Sequence, residues 1–169
     1  MPAKSCINNI MTNKILNIWV LTFSLFGFTE DTNKYFTVSE YSKIELKVHK
    51  TPTCGCCKKW INYLQKSGFK TVAEDHQNLD EIKELYRIMP AYKSCHTAVS
   101  SNGYVFEGHI PSKYIKQFLE EQIPNAIGLS VPGMPLGSTG MEFGDRKMVY
   151  DVLILFKDGS SKVFATVND

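Results

Sequence analysis

The sequence predicts an α/β domain of order β-α-β-α-β-β-α, closed by a C-terminal β-hairpin. Three observations lead there. Segments in which apolar and polar residues alternate take turns with segments whose apolar residues recur at helical spacing. Asn102-Gly103 and Asp158-Gly159 each stand between two extended runs, the signal of a hairpin turn. The 169 residues, 43% of them hydrophobic, suffice for one domain with a core and a terminal appendage. The net charge of +2 is too slight to point to nucleic acid or to a membrane surface. No phosphate-binding glycine loop, nucleophile elbow, paired-carboxylate arrangement or internal repeat is present.

The appendage is N-terminal. Lys4 and Lys14 precede an apolar run from Ile15 to Phe28, which has signal-peptide length and is too short and interrupted for a membrane span. Residues 1–28 therefore read as an export leader. An uncleaved anchor, the one way in which the chain meets a membrane, and a buried core helix are the alternatives. No Ala-x-Ala cleavage signal is present, the cut is placed near Gly27, and Met11 is an alternative start. Loss of the leader removes Cys6 and leaves Cys54, Cys56, Cys57 and Cys95. Residues 29–43 are polar and read as a linker, and residues 44–169 form the domain.

Within the domain, Ile44, Leu46 and Val48 alternate with Glu45, Lys47 and His49, as in a half-buried strand. A turn at Pro52 leads to Thr53-Cys54-Gly55-Cys56-Cys57-Lys58-Lys59-Trp60. Trp60, Ile61 and Leu64 then follow at helical spacing, with Gly68 as the stop. The three cysteines thus fall at the start of a helix, where unpaired backbone N–H groups and the helix dipole favour thiolate over thiol. Lys58 and Lys59 add positive charge.

Cys54 and Cys57 form a Cys-x-x-Cys motif between strand and helix, which reads as thioredoxin-like redox chemistry. Cys56 complicates that reading, because a two-electron dithiol switch needs two sulfurs and an adjacent third invites scrambling. A soft, thiolate-preferring metal ion would hold all three, and thiolates this close can bridge several ions.

Phe69 to Val72 suggests a second strand. Asn78, with the acid Glu81 three residues later, reads as the cap of a helix through Ile82, Leu85 and Tyr86 that ends at Pro90. Strand, helix, strand, helix in this order imply a right-handed βαβ unit. Next comes Ser94-Cys95-His96-Thr97, leading into a hairpin around Asn102-Gly103. A two-residue turn there sets Ser101 opposite Tyr104, Val99 opposite Phe106 and His96 opposite His109, so the two histidines share a face. His49 and His76 lack such a context and read as ordinary surface residues. Pro111-Ser112 opens a helix with Ile115, Phe118 and Leu119. The order now matches a thioredoxin-like domain, in which the start of the third strand lies beside the cysteine helix. Cys95 is therefore expected to approach Cys54, Cys56 and Cys57.

These segments, in order, carry a more specific resemblance. Pro52 to Trp60, Ser94-Cys95-His96-Thr97-Ala98, Glu107-Gly108-His109-Ile110-Pro111 and the loop Val131 to Glu142 resemble the motifs of the CopG family, small exported bacterial proteins associated with copper resistance. The resemblance runs from about Ile44 to Val167. It implies a thioredoxin-like fold whose cysteines hold a multinuclear copper cluster capable of Cu(I)/Cu(II) change. Cys54, Cys56, Cys57 and Cys95 match the family's cysteines, and His96 and His109 match its histidines. Thr139 stands where a proline is common. The resemblance also implies a periplasmic location for the mature chain, and as partners copper ions, with a copper efflux system or a periplasmic electron-transfer protein beyond them.

Donor chemistry agrees with that implication, since thiolates select Cu(I) and imidazole makes Cu(II) more tolerable. Three other readings of the same residues stand beside it. A thiol-disulfide oxidoreductase would use Cys54 and Cys57. A structural zinc site would use the four cysteines, although adjacent Cys56 and Cys57 are awkward around one tetrahedral ion. An iron-sulfur site would share those ligands. Met134 and Met141, in the Gly/Pro-rich loop, are expected to pack the loop or shield the cluster rather than to ligate, and Met148 is expected in the core. Val149 to Phe156 and Lys162 to Val167 form the terminal hairpin.

Overall fold

A computed structural model of the protein describes residues 41–168. The expected leader, Cys6 and all but the end of the expected linker lie outside them. The elements are β1 (Glu45–Lys50), α1 (Gly55–Lys66), β2 (Lys70–Asp75), α2 (Asp80–Leu85), β3 (His96–Ser100), β4 (Val105–Glu107), α3 (Ser112–Glu121), β5 (Ala126–Ser130), β6 (Tyr150–Phe156) and β7 (Ser161–Val167). The predicted order β-α-β-α-β-β-α runs through α3, and the predicted terminal hairpin is β6 and β7. Strand β5 is an addition that the sequence reading did not contain. It joins the two parts into one mixed seven-stranded sheet of order β2-β1-β3-β4-β5-β6-β7.

Helix α1 returns the chain from β1 to β2, which pair in parallel. Helix α3 does the same between β4 and β5. The apolar stripes of both helices meet one face of the sheet. Trp60, Ile61 and Leu64 of α1 and Ile115, Phe118 and Leu119 of α3 are buried with Leu46, Val48, Ala98, Phe106 and Leu129. Each such side chain contributes about 1.5–3 kcal/mol through burial. Tyr41, at the end of the polar N-terminal stretch, also sits in this core, with its hydroxyl on Glu120 Oε1.

Two details differ from the sequence reading. Helix α2 ends at Leu85 rather than at Pro90, because Arg87 takes a left-handed conformation (φ 56°) and Pro90 opens a short 3-10 turn. Leu85 is exposed in consequence, and the side chain that α2 buries is Lys83. Asn78 still serves the start of the helix, accepting from Asp80 N at 2.9 Å.

The β3–β4 register is shifted by one residue. Val99 stands opposite Val105, Ala98 opposite Phe106 and Thr97 opposite Glu107. The cause lies in the turn. Ser100 Oγ accepts from Tyr104 N at 2.9 Å and lies 2.5 Å from Asn102 Oδ1, so the loop has three residues, 101–103, instead of two. Met148 is another correction. It is 57% exposed, in a segment leading into β6 whose side chains face solvent.

Candidate metal centre

The cysteines stand where the local sequence puts them. Cys54 is the N-cap of α1, and its sulfur accepts from Cys57 N at 3.3 Å. Cys56 and Cys57 occupy the first turn, which has no acidic residue to oppose thiolate formation. Cys54 and Cys57 are joined by a disulfide, and Cys56 and Cys95 are free thiols. Cys57 is fully buried beneath the half-buried Cys54 and Cys56.

Cys95 arrives from the other side of the cluster, immediately before β3. Its sulfur lies 3.6 Å from Cys57 Sγ and 3.9 Å from Cys56 Sγ, while Cys54 Sγ and Cys56 Sγ are 3.5 Å apart. One ligand atom from each of the four cysteines lies within 4.8 Å of every other. The expectation that Cys95 approaches the helix-borne cysteines is met.

His96 and His109 flank Cys95. His109 Nε2 is 3.0 Å and His96 Nδ1 is 3.3 Å from Cys95 Sγ, and the two rings meet edge to face at 4.9 Å. The expected contact of the histidines is thus present, but not as a cross-strand pair. His109 lies beyond β4, after Gly108, whose φ of +79° bends the chain inward, and a Cβ at Gly108 would come within 2.5 Å of Ser94 Oγ. His109 Nδ1 lies 2.8 Å from the Thr139 carbonyl. A carbonyl only accepts, so Nδ1 carries the proton and Nε2 presents its lone pair to the cysteines. Thr139 serves through its backbone oxygen, which explains how it can stand where the family pattern often has proline.

The site is electrically quiet without a cation. Burial, reinforced by the neighbouring Cys56, pushes the Cys95 thiol up to about 12. Burial and the adjacent His109 hold His96 well below the usual imidazole range, and burial also lowers His109. A bound cation would supply the charge that allows Cys95 to ionise, while both imidazoles are already neutral.

The loop from Val131 to Glu142 covers the cluster. At Gly140 (φ +88°) a Cβ would lie 2.9 Å from Cys56 O and 3.0 Å from Trp60 N, so glycine allows the loop to rest on the first turns of α1. Met134 is 55% exposed, contrary to the packing role expected of it, and Met141 is half-buried.

A polar network missed by the sequence reading supports Cys95 from below. Glu107 is fully buried, and its Oε1 accepts from Ser94 N at 2.6 Å and from the Lys83 ammonium. Its Oε2 accepts from Thr97 Oγ1 at 2.6 Å, and Lys83 Nζ also donates to Thr97 Oγ1 at 3.1 Å. His49, read from the sequence as a surface residue, is buried and in contact with His76.

Residues 92–141, which include Cys95, both flanking histidines and all of the covering loop but Glu142, match the family model described as "Protein of unknown function, DUF411". No curated protein matches the chain. Two solved structures, "Copper resistance protein copG" in Form 2 and Form 1, are each 36% identical to it, with TM-scores of 0.70 and 0.69. Each match covers 74% of this chain and 98% of the other. An identity of that size, over nearly the whole length of the solved proteins, makes this chain a member of the CopG family.

Proposed function

We propose that the protein is an exported copper-binding protein that holds Cu(I) on Cys54, Cys56, Cys57 and Cys95 and so contributes to copper resistance. The observation that carries this reading is the convergence of four cysteine sulfurs, with two neutral imidazoles at their edge. Thiolates select Cu(I) over harder ions. Adjacent Cys56 and Cys57 suit a multinuclear cluster with bridging sulfurs better than a single tetrahedral zinc. The naming of the related solved structures as copper resistance proteins supports the same cargo.

In the present state two of the four sulfurs are tied up in the Cys54–Cys57 disulfide. An external dithiol that is itself oxidised to a disulfide would supply the two electrons and two protons that open it to two thiols, and Cu(I) then displaces protons from sulfur. His96 and His109 supply nitrogen beside the sulfurs, which makes Cu(II) more tolerable and favours redox conversion. The order β1-α1-β2-α2-β3-β4-α3 supports a thioredoxin-like ancestry for the scaffold, with β5–β7 extending it. Among the described residues no helix is long and apolar enough to cross a membrane. The reading places the mature chain in the periplasm, passing copper to an efflux system or electrons to a partner there.

The disulfide itself favours a second reading, a thiol-disulfide oxidoreductase using Cys54 and Cys57. The two diverge at Cys56. Cys56→Ser is expected to weaken Cu(I) binding and alter its stoichiometry. A variant with unchanged Cu(I) binding and full disulfide-reductase activity would decide for the oxidoreductase.

A further inference from the structure

The opposite face of the sheet carries a second group of ligand-type side chains. Strand alternation sends Leu46 and Val48 of β1 into the core beneath α1, which puts Lys47 and His49 on the other face. His49 stands opposite Glu74 of β2. His76 follows β2 directly and is held by its backbone N–H, which donates to Lys50 O at 2.8 Å. His49 Nδ1 and His76 Nε2 are 2.9 Å apart, and Glu74 Oε1 is 3.4 Å from the same His76 nitrogen. All three donor atoms lie within 4.8 Å of one another.

We propose that His49, Glu74 and His76 form a second metal site, separate from the cysteine cluster, that takes one divalent transition-metal ion such as Zn2+. The spacing fits. Ligands bonded at about 2.0–2.1 Å and set between square and tetrahedral angles lie roughly 2.9–3.4 Å apart. The donor set of two imidazoles and a carboxylate, without thiol, suits borderline divalent ions rather than Cu(I). Glu74 offers one oxygen, because its Oε2 is engaged by Lys47 Nζ at 3.3 Å and its Oε1 faces the histidines. The side chains of His76 and Glu74 are 22% and 46% exposed, so water can complete the coordination from the solvent side.

His49 supplies the fixed corner. It is 4% exposed and its ring packs 6.3 Å from that of Tyr86. Its Nε2 is buried and has no hydrogen-bond partner.

The test is a Zn2+ titration of the reduced full chain, read through imidazole 15N resonances assigned to each histidine. This readout separates the site from any zinc taken up by the cysteines. His49 and His76 are expected to shift together and saturate with one ion. His76→Gln and Glu74→Gln, whose folding is checked by circular dichroism, are each expected to weaken the His49 response at least about ten-fold. Three outcomes would overturn the proposal: no shift at His49 and His76, a shift at His76 alone from adventitious surface zinc, or an unchanged His49 response in both variants.

Discussion

Glu107 Oε1 accepts a hydrogen bond from Ser94 N at 2.6 Å, which ties the residue before Cys95 to the interior of the sheet. The same carboxylate neutralises Lys83, whose side chain is 5% exposed. Glu107→Gln keeps the shape but leaves a buried ammonium without its counter-charge. Loss of one partner of such a pair costs about 3–5 kcal/mol, to be read as a lower urea midpoint. The double variant Glu107→Leu with Lys83→Met, which removes both charges, is expected to recover much of that loss. A Glu107→Gln protein as stable as wild type would show that the pair is not a support.

His109 presents Nε2 to Cys95 at 3.0 Å, so its removal should be felt in copper binding more than in folding. His109→Gln is expected to weaken Cu(I) affinity by about ten-fold or more, as measured by competition with a chromophoric chelator. An affinity equal to wild type would place His109 outside the copper site.

Gly140 seats the covering loop on α1 with no room for a Cβ. Gly140→Ala should cost about 1–2 kcal/mol from the left-handed backbone alone, and more from the contact with Cys56 O. Because the loop also carries the carbonyl that holds His109, the free thiols of Cys56 and Cys95 should alkylate faster in this variant. Unchanged iodoacetamide rates would contradict a covering role.

His96 has a sign that can be checked. Its folded pKa lies well below 6.5, so the unfolded chain takes up a proton that the native ring refuses. Its contribution to stability is therefore complete above pH 6.5 and is lost as the pH falls below that value, at about 1.4 kcal/mol per pH unit. Glu107, raised by burial, acts in the opposite sense, so the measurement is a difference. Urea midpoints of metal-free wild type should fall between pH 7 and 5.5 more steeply than those of His96→Phe. Parallel curves would mean that His96 titrates normally.

The cysteine helix was legible in the sequence because its signals are local: a strand period, a turn at Pro52, then Trp60, Ile61 and Leu64 on one stripe. The approach of Cys95 followed from element order. The contact of His96 with His109 was anticipated through the wrong register, since Asn102-Gly103 suggests a two-residue turn and gives no sign that Ser100 Oγ will hold a third residue in the loop. The bend at Gly108 restores the contact. Lys83 and Glu107 were not legible, because a charged residue in a half-apolar segment reads as solvated until a partner distant in sequence is known. His49 was missed for a similar reason: its strand face is polar in sequence, yet the rings of His76 and Tyr86 pack against it. Strand β5 is five residues long and interrupted by Gly128, too little for alternation to register.

The central claim is that the four cysteines act as one copper-binding unit, and anaerobic titration of the reduced, leaderless chain with Cu(I) tests it most directly. The account predicts more than one copper per chain, with Cys54, Cys56, Cys57 and Cys95 all unreactive to thiol reagents until the copper is stripped. A chain that takes up no Cu(I) after reduction, with its four thiols freely reactive throughout, would contradict it.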